Sequence, residues 1–161
     1  MGLDQYLSAD LYISRKDYFQ KVGEYDFADN PAFQAVLEAA NATSYVDEEH
    51  AGLKVQIPIG YWRKANAIHK WFVDTLADGV DECQEIYVPR EQLIGLLDRC
   101  RMVQADHSKA EYLLPSTDGF FFGGTDYDDY YHWWNDKTVE ILERVLATVP
   151  EDCSIVYQAS W

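Results

Sequence analysis

The chain has 161 residues, enough for one domain with a buried core, and carries 28 acidic residues against 13 Lys and Arg, a formal charge of −15. That charge excludes a general binder of duplex nucleic acid, which must neutralise phosphates with cations, and an anionic membrane surface. It leaves a protein kept apart by self-repulsion, or an acidic face that meets a basic partner, with a homo-oligomer still open.

From Leu3 to Ile13 the chain reads as a strand, with the charged stretch Ser14 to Lys21 as its exit. Asn30 followed by Pro31 marks a helix start, and Phe33, Val36, Leu37 and Ala40 form its apolar stripe. Lys54 to Ile59 alternates as an antiparallel strand does, and Pro58 places it at an edge or a strand end. A second helix is predicted over Tyr61 to Ala77, its stripe being Ala65, Ile68, Phe72, Val73 and Leu76. A short strand, Glu85 to Val88, leads through Pro89 into a third helix bearing Leu93, Leu96, Leu97 and Cys100, which puts Cys100 in the core. Gly119 to Gly124 reads as an apolar strand or turn. The fourth helix has the strongest pattern: Tyr127, Tyr130, Tyr131, Trp134, Thr138, Ile141, Leu142, Val145 and Val149 keep helical spacing, and Thr125 with Asp128 makes a capping-box-like start. Cys153 to Trp161 closes the chain as a strand. The fold class expected is α+β, one domain with a largely antiparallel sheet packed by about four helices and both termini in strands.

Compartment and chemistry follow from what is missing. Cys83, Cys100 and Cys153 make neither a disulfide framework nor a CxxC site, which fits a reducing compartment. No basic, apolar leader is present, and no apolar run nears the roughly 18 residues that span a bilayer, so a cytoplasmic location is expected. There is no P-loop, GxGxxG, GxSxG or HExxH, and His50, His69, His107 and His132 lack metal spacing, so no cofactor is expected.

Three places could carry function. The Trp62-Arg63-Lys64-Ala65-Asn66 stretch with His69 and Lys70 gathers three of the thirteen cations in eight residues. On one helix, Arg63 and Lys70 would lie beside Trp62 and Asn66, a set able to hold a phosphate and stack a base. His69 falls within the apolar stripe and reads as a satisfied core histidine, while Trp71 falls on the polar side. In Gly119 to Gly124, a strand would point Phe120 and Phe122 one way and Phe121 the other. Asp126, Asp128 and Asp129 could offer oxygen ligands, although carboxylates in a helix's first turn are stabilised by its dipole anyway. Trp133 points off the aromatic stripe and is a candidate contact.

Several stretches together resemble a group of small proteins of tailed phages and prophages. They are Met1-Gly2-Leu3-Asp4-Gln5-Tyr6-Leu7, Tyr61 to Asn66 with His69, Gly119 to Gly123 with Tyr127, and Tyr157-Gln158-Ala159-Ser160-Trp161. The chain departs from that pattern at Gln5, where Met is expected, and at Ala159, where Ser is. The resemblance implies a phage origin and action in the host cytoplasm, where such accessory proteins commonly inhibit host defence. The leading expectation is therefore a non-enzymatic binder of a small anionic ligand, a nucleotide signal of host immunity. Arg63, Lys64 and Lys70 would engage phosphate, Asn66 and His69 polar edges, and Trp62, Tyr127 or Phe121 the base, with Trp133 and Trp161 as further aromatic contacts. The alternatives are an acidic inhibitor that mimics DNA or caps a basic host protein, and a small nucleotide-processing enzyme. Between Asp118 and Trp161 nine acidic residues stand against two basic ones, Lys137 and Arg144, and if they form one contiguous face they favour the first alternative.

Overall fold

Local chemistry sets where the elements begin. In the computed structural model, which describes residues 2–47 and 52–161, Asn30 caps helix α1 (Pro31–Ala39) by accepting from Ala32 N at 3.0 Å, with Pro31 at the first helical position. Met1 and His50 lie outside the described residues. The remaining elements are strands β1 (Asp4–Ser14), β2 (Lys16–Lys21), β3 (Phe27–Asp29), β4 (Gly52–Arg63), β5 (Ile86–Tyr87) and β6 (Ser154–Ser160), and helices α2 (Asn66–Leu76), α3 (Arg90–Ala105), α4 (Ala110–Leu113) and α5 (Asp129–Thr148), with a 3-10 turn at His107–Lys109. An antiparallel sheet runs in the order β4-β1-β6-β5, and β2 pairs with β3 in a small second sheet. The class is α+β with a strand at each end, as the sequence patterns predict. Pro58 stands on an edge strand, β4, where a residue without an N–H is best tolerated.

Two compact units result: residues 10–56, and residues 1–9 with 57–161. The smaller is built on Phe33, Leu37 and Ala42, against which Ile13, Val46 and Leu53 pack. Its Ser14 to Lys21 stretch is not an exit from β1 but mostly strand β2, paired with β3. In the larger unit, α3 packs along α5, burying Leu93, Leu96, Leu97, Cys100 and Val103 from one helix and Thr138, Val139, Leu142 and Val145 from the other. Burial pushes the Cys100 thiol far above its usual pKa, as expected of a core cysteine. Phe72 stacks on Tyr157 at 4.0 Å and meets Trp62 edge-on at 6.1 Å, joining α2 to β6 and β4.

Three expectations need correction. The second helix does not start at Tyr61: β4 continues through Arg63, and Lys64, with φ of 55°, turns the chain into α2. Trp62 and Arg63 therefore lie on a strand, with no helical register to Asn66 or Lys70. Trp71 is buried within the main hydrophobic cluster, edge-on to Phe72 at 5.1 Å, and not on a polar face. Helix α5 is capped by Asp128, which accepts from Tyr131 N at 3.0 Å, and Thr125 takes no part; Tyr127 precedes the helix and Tyr130 is exposed.

Two predictions follow from α5. Leu142→Ala should cost about 2–5 kcal/mol in urea unfolding, and exposed Trp133→Ala within about 0.5 kcal/mol. Burial, then the stacked ring of His107 (3.7 Å between centroids), lowers the pKa of His132, against the pull of Asp136, Asp129 and Asp128. The unfolded chain therefore binds the proton more readily, so His132 takes stability away as pH falls through the ordinary imidazole range. The loss of stability between about pH 7 and about pH 5 should be smaller in His132→Gln than in the parent chain.

Candidate functional site

Asn66, at the first position of α2, ties down the loop between α4 and α5. Its Oδ1 accepts from Thr117 N (3.2 Å) and its Nδ2 donates to the carbonyls of Gly124 (2.8 Å) and Phe122 (3.4 Å). The loop so held is the common wall of two cavities. The larger, about 350 Å³, is bordered by His69, Lys70 and Asp74 of α2, by Asp81, by Asp118, Gly119, Phe120 and Phe122 of the loop, and by Trp161. The smaller, about 40 Å³, lies at the start of α2 among Lys64, Asn66, Asp126, Tyr130 and Trp134, and has room for about three waters.

The Gly119 segment forms a turn, not a strand. Phe122 N donates to Gly119 O at 3.2 Å, and Phe121 and Gly123 are left-handed, with φ of 61° and 98°. The alternation expected of a strand is therefore absent. Phe120 and Phe121 are 73% and 50% exposed, whereas Phe122 is buried edge-on against His69 (5.2 Å) and Trp161 (5.9 Å). A side chain at Gly119 would meet the Phe122 ring at 2.5 Å, so glycine is what lets that ring fold back.

His69 is the hinge between this cavity and the core. Its Nε2 lies 2.9 Å from Asp81 Oδ2 and its Nδ1 2.7 Å from the Tyr157 hydroxyl. That hydroxyl donates to Gln5 Oε1 (3.1 Å), and Gln5 Nε2 donates to Ala65 O (3.2 Å). Trp161 Nε1 donates to the other oxygen of Asp81 at 3.2 Å. Burial first, then Asp81, raises the Tyr157 phenol well above its usual pKa. Both ring nitrogens of His69 therefore have partners within the protein. The core reading of this histidine holds, and it also faces the cavity.

The sequence-predicted site residues part company here. His69, Lys70 and Trp161 share the larger cavity; Lys64 and Asn66 border the smaller one. Trp62 is fully buried, its Nε1 donating to Thr138 Oγ1 at 2.9 Å, so its ring has no surface left for a ligand. Arg63 stands on β4 with Nε 3.9 Å from Asp4, its carbonyl accepting from the Tyr130 hydroxyl. Tyr127 is half-buried, its hydroxyl accepting from Ser116 N, and Trp133 is 49% exposed on α5 beside Tyr130. Phe121 borders neither cavity. The three cations of the expected phosphate cradle thus face three different places.

Asp81 and Asp118, which the sequence reading did not single out, contribute carboxylates to the larger cavity beside Asp74, which pairs with Lys70 at 2.7 Å. Both sit in irregular segments, where no periodicity marks a residue as inward. Among the described residues no group of three His, Cys, Asp or Glu is placed to hold a metal ion. No family model, curated protein or solved structure matches the chain.

Removing the hydroxyl in Tyr157→Phe leaves His69 Nδ1 and Gln5 Oε1 without their partner. The variant should lose about 1–3 kcal/mol in chemical denaturation.

Proposed function

We propose that this chain is a non-enzymatic binding protein that takes a positively charged group of a basic partner protein into the larger cavity. One observation supports the reading above the others: the carboxylates of Asp74, Asp81 and Asp118 stand around the same cavity as the accessible rings of Phe120 and Trp161. Carboxylates attract a cation through space, and an aromatic face adds to that attraction. The two basic groups there, Lys70 and His69, lie against Asp74 and Asp81 of this same set, at 2.7 and 2.9 Å, and Asp118 adds a further negative charge. An entering phosphate would instead meet Asp118 and Asp81 and lose energy to like charge. The net charge of −15 extends the same preference outward, attracting a basic protein to the chain. The resemblance to small phage proteins fits a counter-defence role, the partner being a basic host protein met in the host cytoplasm.

A second reading, sequestration of a nucleotide, draws on the smaller cavity. Helix α2 starts there with no side-chain cap, beside Lys64. A helix start and a lysine suit a phosphate oxygen. About 40 Å³ excludes the base and sugar, which would have to lie outside.

Titration calorimetry with poly-lysine and with a panel of linear and cyclic nucleotides separates the two. The proposal expects heat with poly-lysine that falls steeply with salt, and about tenfold weaker binding in Asp118→Asn combined with Trp161→Ala. Glu140→Asn, an equal charge change elsewhere on the surface, should change it little. Equal weakening by both would reduce the effect to net charge, and heat with a nucleotide alone would favour the second reading.

A further inference from the structure

The larger cavity also carries information about which cation it accepts; this step rests on the reading just given. A guanidinium is recognised best by the fork of one carboxylate, two parallel N–H···O bonds to its two oxygens. None of the three carboxylates at the cavity has both oxygens unengaged. Asp81 has one oxygen 2.9 Å from His69 Nε2 and accepts from Trp161 Nε1 on the other. Asp74 Oδ2 holds Lys70 at 2.7 Å, and Asp118 Oδ1 accepts from Gly119 N at 3.0 Å. What stays available is one oxygen on each of two residues from two segments, Asp74 of α2 and Asp118 of the loop between α4 and α5. An ammonium suits such a set, because it is a compact charge with three donors that point in different directions and need no coplanar pair. Trp161 and Phe120, 48% and 73% exposed, supply ring surface for the methylene stem that carries it.

We infer that the cavity selects an alkylammonium, the head group of a lysine side chain, over the guanidinium of an arginine. Hydrogen bonds already made inside the protein set this selectivity: Trp161 and His69 occupy the edge of Asp81 that a guanidinium would use.

The test is an amide and indole NMR titration of the intact chain with three blocked tripeptides, acetyl-Gly-Lys-Gly-amide and its Arg and citrulline counterparts, and with cadaverine as a free amine. The lysine peptide should bind about tenfold tighter than the arginine peptide, with shifts centred on Trp161, Gly119 and Phe120, and the neutral citrulline peptide should leave them unmoved. Arginine binding as tightly as lysine, or tighter, overturns the inference and leaves the cation-binding reading standing. No shift at the cavity with any of the cations overturns both. Cadaverine binding more tightly than the lysine peptide keeps the ammonium preference and removes the protein partner. In Trp161→Phe, which keeps a ring but frees one oxygen of Asp81, the preference for lysine should narrow; an unchanged ratio counts against the mechanism.

Discussion

One run of hydrogen bonds organises the larger unit, passing from Asp81 through His69 and Tyr157 to Gln5 and the carbonyl of Ala65. It links the segment after α2, helix α2 itself, strand β6, strand β1 and the residue that opens α2. Such a chain is costly to bury unless each member finds its partner, because an unpaired polar group in a low-dielectric core has nothing to replace water. Here the partners are found, and the arrangement ties α2 to the two central strands of the sheet, β1 and β6. It also fixes Asp81 at the cavity mouth, where Trp161 holds its second oxygen.

The loop between α4 and α5 completes the site through a different constraint. It has no regular structure of its own, and three hydrogen bonds to the single side chain of Asn66 anchor it. Phe122 then turns inward and Phe120 outward, an outcome that needs the space left by Gly119 and the left-handed backbone at Gly123. Left-handed Phe121 is unusual for a non-glycine residue and carries a local conformational cost. The rest of the turn offsets it by burying Phe122 against His69 and Trp161.

Elements with one dominant local signal were legible in the sequence. The Asn30-Pro31 start, the α5 stripe from Thr138 to Val145, the edge strand at Pro58 and the buried Cys100 each follow from a cap, a period or a missing donor. The start of α2 was not legible, because Tyr61 and Trp62 suit strand and helix alike and only the left-handed turn at Lys64 separates them. That one boundary dispersed the expected phosphate cradle. Strand β2 was hidden by its charged residues, which a narrow exposed sheet tolerates. Of the site, His69, Lys70 and Trp161 were visible by type; Asp81 and Asp118 reach the cavity only through tertiary contacts of irregular segments, which leave no trace in spacing.

Where a lysine-bearing ligand lands is the most direct check on this account. The chain has five tryptophans, and they report different places: Trp62 in the core beneath α5, Trp71 in the core beside Phe72, Trp133 and Trp134 on α5, and Trp161 at the larger cavity. Resolved indole resonances followed during addition of a lysine-rich peptide should show Trp161 moving first and furthest, with Trp62 and Trp71 still. Movement confined to Trp133 and Trp134, with Trp161 unchanged, would place the binding surface elsewhere and contradict the account.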